Sequence, residues 1–161
     1  MHFLDNAFAF LFISFLAGVL IDPMLRCLPI YGWLSTRFLF GNPKVYEYLG
    51  VQWFRWLLLS TPLRFFNPNI RFSKSRDLES LKSVQHHIAS AEVSHWVGFA
   101  FMFAMTLIAW WNRGTNAGLS FFFNVLGNLY PCMLQQYNKR RLYPLIAALE
   151  KRATAIRSTY V

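Results

Sequence analysis

Charge is what this chain has least of. Of its 161 residues only 14% are Asp, Glu, Lys or Arg, while 55% are hydrophobic and 19% aromatic; an ordinary soluble domain has about 25% charged and about 45–50% apolar residues. That balance excludes a soluble enzyme. With a mean hydropathy of +0.30 it also excludes intrinsic disorder, which needs little apolar surface and much charge. Cysteine is equally scarce: Cys27 and Cys132 stand far apart with no CxxC pair, so neither a disulfide framework nor a zinc ribbon is encoded. The opening Met-His-Phe-Leu-Asp lacks the basic n-region of a secretory signal, so the first apolar run reads as a retained anchor. No internal repeat or low-complexity tract breaks the chain, which reads as one all-α integral membrane domain.

Three uncharged runs are present: Asn6–Ile21, Val93–Asn112 and Gly114–Asn138. As helices they cover about 24, 30 and 37 Å against a hydrocarbon core of about 30 Å. The last two span; the first has to continue past Pro23 toward Leu28, recruit Phe3 and Leu4, or thin the bilayer. Leu49–Phe66 is apolar as well, but Arg55, Pro62 and Arg64 interrupt it and Trp53 and Trp56 favour the headgroup layer, which makes it an interfacial or re-entrant helix rather than a fourth crossing. Asn67-Pro68-Asn69 reads as a turn, and Ser75–Ala89 as a polar helix leading into the second span. The expected organisation is an N-terminal transmembrane helix within 1–31, a cytoplasmic or interfacial segment over 32–88, a transmembrane hairpin over 89–138 and a basic tail over 139–161.

The formal net charge of +9 reads first as cytoplasmic loops beside anionic lipid, with no nucleic-acid partner implied. Gly32–Ala89 carries an excess of basic residues, and so does the tail from Lys139 onward. The positive-inside rule puts both on the cytoplasmic side of the cell inner or plasma membrane, with three crossings and an external N-terminus.

Polar groups that lipid would reject mark the second and third runs: Glu92 and His95, then Asn124, Asn128, Gln135, Gln136 and Asn138. Glu92 and His95 lie one turn apart on one helix. On a regular helix Asn124, Asn128, Pro131, Gln135 and Asn138 fall within about 80° of one another. A hairpin centred on Gly114 pairs His95 with Met133 and Glu92 with Gln136, so the two stripes meet at the cytoplasmic edge, where a water-soluble activated donor reaches a lipid-dissolved acceptor. Plainer readings stand beside this one. Glu92 suits a wet helix N-terminus, His95 a hydrogen-bonded packing position, and the Asn stripe interhelical bonding of roughly 0.6 kcal/mol per contact. Adjacent His86 and His87 point to different faces, so no metal site is expected. Cys132 fits as a small buried hydrophobe, and the seventeen Phe as lipid-facing packing or the lining of a polyene groove.

At Glu92-Val-Ser-His95-Trp96, at Asn128-Leu-Tyr-Pro131 and at Gln135-Gln-Tyr137-Asn138-Lys-Arg-Arg141-Leu, the chain resembles the glycosyl-4,4'-diaponeurosporenoate acyltransferase family of carotenoid-pigment biosynthesis. The likeness covers about Ala91 to Arg152, with a fainter match at Tyr46–Arg55 and Pro62. It carries over Glu92, His95, Trp96, Asn128, Gln135, Tyr137, Asn138 and Arg141. Two positions depart: Gln136 and Lys139 stand where the family usually has Arg, so a bidentate guanidinium is lost in one place and becomes a point charge in the other. The resemblance implies esterification of a sugar hydroxyl on a glycosylated carotenoid, or a similar glycolipid, with a fatty acyl chain.

For that chemistry His95 is the expected general base and Glu92 the acid that orients its ring. Asn138 or Asn128 is the oxyanion donor, and Lys139, Arg140 and Arg141 hold the phosphates of an acyl-CoA or another acyl-carrier thioester, with no bound cofactor. The same three basic residues also suit a lipid-phosphate belt. The competing expectation is a non-catalytic small subunit, or a pigment- or lipid-binding partner, of a larger membrane complex.

Overall fold

The computed structural model of the chain describes residues 7–62, 77–112 and 117–159. The elements are α1 (Ala7–Leu25), α2 (Pro29–Thr36), α3 (Lys44–Tyr48), α4 (Val51–Ser60), α5 (Leu78–Trp111), α6 (Ala117–Asn124), a π-helical turn (Val125–Leu129) and α7 (Tyr130–Thr159). Among the described residues there is no strand. Three helical stretches, Ala7–Leu25, Leu78–Trp111 and Ala117–Ile156, are long and apolar enough to cross a membrane, and the chain is a membrane protein.

The first run resolves its length by continuing past Pro23. Its 19 residues reach about 28 Å, close to the hydrocarbon thickness. Helix α1 stops at Leu25, and Pro29 opens α2, where a missing N–H is harmless. Helix α4 has 10 residues, or about 15 Å, too short to cross. It buries Val51 and Phe54 and exposes Trp53 and Trp56, the amphipathic habit of a helix at an interface. The polar helix expected before the second span is continuous with it, since α5 runs unbroken for 34 residues. The Asn67-Pro68-Asn69 turn, residues 63–66 and the connection at Gly114 lie outside the described residues.

The chain divides into two compact units, Met1–Leu39 with Ser90–Met133, and Phe40–Ala89 with Leu134–Val161. In the first, α1 runs antiparallel to α5. Ser14 is level with Gly98 and Gly18 with Ser94, because a Cβ at Gly98 would stand 3.0 Å from the Ser14 carbonyl oxygen and one at Gly18 would collide with the Ser94 carbonyl. One turn on, Ser90 Oγ donates to Asp22 Oδ2 at 2.8 Å. The buried face of α1 is Ala7, Phe10, Ser14, Gly18 and Asp22, a three-to-four-residue repeat. Its opposite face exposes Phe8, Phe12, Val19, Leu20 and Met24. Lipid is as apolar as those side chains, so helix association here rests on close backbone approach at small residues and on polar contacts.

In the second unit the first turns of α5 pack on α7 through Leu81, Ile88, Leu142 and Ile146, flanked by Val84, Tyr143 and Leu149. Lys82 Nζ pairs with Glu150 Oε1 at 2.6 Å, a half-exposed pair of small energetic weight.

The Gly18–Ser94 contact yields a test. Gly18→Val forces a side chain onto the Ser94 carbonyl and should lower stability by about 1–3 kcal/mol, read as an earlier unfolding midpoint in detergent. Gly118→Ala, which meets open space, should not lower it. Equal midpoints for wild type and Gly18→Val would exclude the close approach.

Candidate active site

A proline sets the geometry of the polar stripe. Pro131 has no N–H to give the carbonyl one turn back, and its ring would crowd that carbonyl at Gly127. The helix answers with a wider turn over Val125–Leu129, in which the Tyr130 N–H bonds the Val125 carbonyl. Such turns are rare and recur at functional sites. Gly127 within it leaves room for the Leu11 side chain of α1.

The wide turn carries a chain of amide hydrogen bonds whose direction is fixed at one end. Asn124 Nδ2 donates to the Phe99 carbonyl oxygen at 3.1 Å. A backbone carbonyl only accepts, so the remaining Asn124 atom facing Asn128 is its oxygen. Asn128 Nδ2 donates to that oxygen at 2.9 Å and to Ser14 Oγ at 3.1 Å, and Ser14 passes its own proton to the Leu11 carbonyl at 2.8 Å. Both Asn128 N–H groups are then committed, and its Oδ1 lies over Gly98, where a Cβ would come within 2.6 Å of it. The His95 ring lies beside the Asn128 side chain, and the Asn128 atom not committed elsewhere is this acceptor. A neutral imidazole that gives one ring N–H to such an acceptor presents its other nitrogen as a lone pair.

Around this chain His95 and Trp96 are half-buried, with Trp96 meeting Phe99 edge-on at 6.2 Å. Glu92 is fully buried, and its backbone carbonyl accepts from Cys132 Sγ at 3.7 Å.

Three placements differ from the sequence expectation. His95 faces Asn128 rather than Met133, and Glu92 is level with Cys132 rather than Gln136. Phe99 stands twelve residues before the end of α5, whereas Asn124 stands seven after the start of α6, so α5 extends about one turn further beyond their contact and the register slides. The stripe also changes face: the extra residue of the wide turn moves burial from Pro131 and Asn138, both half-buried, to Cys132 and Lys139. Asn128, with both N–H groups bound within the bundle, has none left for an oxyanion.

Gln135, Gln136, Tyr137, Asn138, Lys139, Arg140 and Arg141 belong to the second unit, and several of them hold the α3–α4 segment. Tyr46, fully buried, donates its hydroxyl proton to Gln136 Oε1 at 2.6 Å. Gln52 Nε2 donates to the Tyr137 hydroxyl at 3.3 Å. The Arg140 guanidinium donates to the Phe40 carbonyl and lies 5.8 Å over the Tyr46 ring. Gln135 is buried with no protein partner for Oε1 among the described residues. Lys139 is fully buried, and of the three basic residues only Arg141 is exposed. His86 and His87 are both exposed, and among the described residues no three His, Cys, Asp or Glu converge as metal ligands.

Sequence reasoning missed Ser14, Gly18 and Gly98, small residues inside apolar runs, and Asp22 with Arg26. The last pair left a signal, an acid and a base four apart at the end of a hydrophobic helix.

A double-mutant cycle checks the amide chain. Ser14→Ala and Asn128→Ala should be coupled by about 0.6 kcal/mol, and at most by about 1.7 kcal/mol, in the unfolding free energy measured in detergent. Strict additivity would deny the Asn128–Ser14 bond.

The glycosyl-4,4'-diaponeurosporenoate acyltransferase family model matches residues 29–148, a range that includes His95, Asn124, Asn128 and the Tyr46–Gln136 contact but not Ser14 or Asp22. No curated protein and no solved structure is significantly similar to the chain. With three quarters of its length under that match, and with the membrane helices and polar bundle that such chemistry requires, the chain belongs to the glycosyl-4,4'-diaponeurosporenoate acyltransferase family and is a membrane acyltransferase.

Proposed function

We propose that the protein transfers a fatty acyl group from an acyl-CoA, or another acyl-carrier thioester, to a sugar hydroxyl of a glycosylated carotenoid or similar glycolipid, with His95 as general base. The observation that carries this reading is the fixed direction of the amide chain, which leaves the Asn128 oxygen as the acceptor beside the half-buried His95 ring; a ring that gives it one N–H keeps its other nitrogen as a lone pair. An imidazole oriented through one nitrogen and basic at the other is the working part of Ser-His-Asp and Cys-His-Asn sites alike. Asn128 thereby takes the orienting role expected of Glu92. The Glu92 carboxylate, one turn away on the same helix, favours the imidazolium that forms.

In the reaction His95 takes the proton of the sugar hydroxyl as its oxygen attacks the thioester carbonyl. The C–S bond then breaks, and the departing thiolate takes the proton back from His95. No acyl-enzyme forms and no metal is needed. The basic residues of 32–88 and of the tail support a cytoplasmic placement for both, so the donor arrives from the cytosol and the acceptor from the bilayer.

His95→Ala should reduce acyl transfer by about 10²–10⁴-fold in membranes where the variant accumulates normally, and Asn128→Ala should reduce it about tenfold while still folding. The measurement is the mass of polar carotenoids and glycolipids in cells with the wild-type gene, the variant gene or none. Loss of one fatty-acyl increment with the gene or with His95 supports the reading. Unchanged lipids together with stoichiometric co-purification in a larger assembly would assign the protein to the subunit class instead.

A further inference from the structure

A second polar cluster lies at the end of α1, eight residues beyond Ser14. Asp22 is 3% exposed within an otherwise apolar helix. Its Oδ2 is crowded: Arg26 donates to it from Nε at 3.0 Å and also from Nη2, and Ser90 Oγ donates at 2.8 Å. Arg26 Nη2 also donates to Ser90 Oγ at 2.7 Å. Its Oδ1, equally buried, has no protein partner among the described residues, and neither has the buried hydroxyl of Tyr31 on α2. The Tyr31 phenol stands beside the Arg26 guanidinium without a hydrogen bond of normal geometry. A carboxylate oxygen and a phenol shut away from water without partners are expensive, each by about 1–3 kcal/mol, and two together call for a ligand.

The chemistry of the pair restricts that ligand. Asp22 Oδ1 only accepts, and the Tyr31 hydroxyl both donates and accepts. Burial first, then the charge of Asp22, pushes the Tyr31 phenol above its ordinary value, so it remains a protonated donor at neutral pH. An anion would meet the unpaired carboxylate oxygen, and a metal cation would meet the Arg26 guanidinium. What fits both atoms is a neutral group that offers donors and acceptors a short distance apart, as hydroxyls on neighbouring carbons do. We infer that Asp22 and Tyr31, braced by Arg26 and Ser90, form the subsite that binds the sugar hydroxyls of a glycosylated lipid.

This inference rests on the acyl-transfer reading for its place in the reaction. Five residues on one helix separate Ser90 from His95, an axial rise of about 7.5 Å, so a headgroup held at Asp22 and Tyr31 lies within two helical turns of His95. Arg26, with its side chain 39% exposed, and half-buried Tyr31 form the open side through which a headgroup enters. Both subsite residues are positioning residues for the acceptor; neither touches the reacting carbonyl.

The test measures binding separately from turnover. Full-length protein in lipid nanodiscs is titrated with a glycosylated carotenoid and with its aglycone, followed by the carotenoid absorbance, with an alkyl glucoside as competitor. Wild type should prefer the glycoside by at least about tenfold, and the glucoside should erase that preference. Tyr31→Phe, which removes one oxygen atom, and Asp22→Asn, which turns half of an acceptor-only group into a donor, should each cut the preference about tenfold and leave aglycone affinity unchanged. Equal binding of glycoside and aglycone by wild type, or an intact preference in Tyr31→Phe, overturns the proposal, and Tyr31→Phe decides alone if Asp22→Asn does not fold. A wild-type protein that prefers the glycoside yet transfers no acyl group would retain this subsite and refute the catalytic role of His95.

Discussion

The bond from Asn124 to the Phe99 carbonyl is the constraint on which the first unit depends. A backbone carbonyl has no proton to give, so this contact decides which end of the Asn124 amide points where. That choice passes to Asn128, then to Ser14 on one side, and leaves the Asn128 oxygen as an acceptor on the other, where His95 lies. In water such an arrangement would be one of several of similar energy. Inside a bundle bounded by lipid the alternatives leave amide groups unpaired in a medium that cannot solvate them, so the orientation of two amides is selected by a carbonyl on another helix.

Close packing makes the chain of bonds possible. Gly98 brings the Asn128 carboxamide onto the α5 backbone, Gly18 brings α1 against the Ser94 carbonyl, and Gly127 admits Leu11. A methyl group at Gly18 or Gly98 would meet backbone of the facing helix and hold the helices apart, and Ser14 would no longer reach Asn128. Small residues and amides are thus two parts of one device, the first setting the separation and the second using it.

Much of this was legible in the sequence. The three spans, the short amphipathic helix with Trp53 and Trp56, and the conjunction of Glu92, His95, Asn124 and Asn128 near one face all follow from hydropathy and helical period. What periodicity could not supply was register. Pro131 was visible, but whether a helix answers a proline with a kink or with a wide turn depends on its neighbours, and that choice exchanged Asn138 for Lys139 on the buried face. The offset between α5 and α6 was likewise invisible, because residue counting assumes that both helices leave their connection at the same height. The family motif around Gln136, Tyr137 and Arg140 looked like a substrate site; in the fold these side chains hold Tyr46, Gln52 and Phe40.

Sequence alone determined that this is a helical membrane protein, which segments are long and apolar enough to cross, and which polar residues have to find one another, because apolar length and the exclusion of polar groups from lipid act on each segment separately. Tertiary structure decided the partners: Asn128 with Asn124 and Ser14, Asp22 with Ser90, His95 beside Asn128 and Tyr31 beside Arg26. Hydrogen-bond direction and helix register are properties of pairs of helices, set by where glycine lets backbones touch and by where a proline widens a turn, and no single segment contains them.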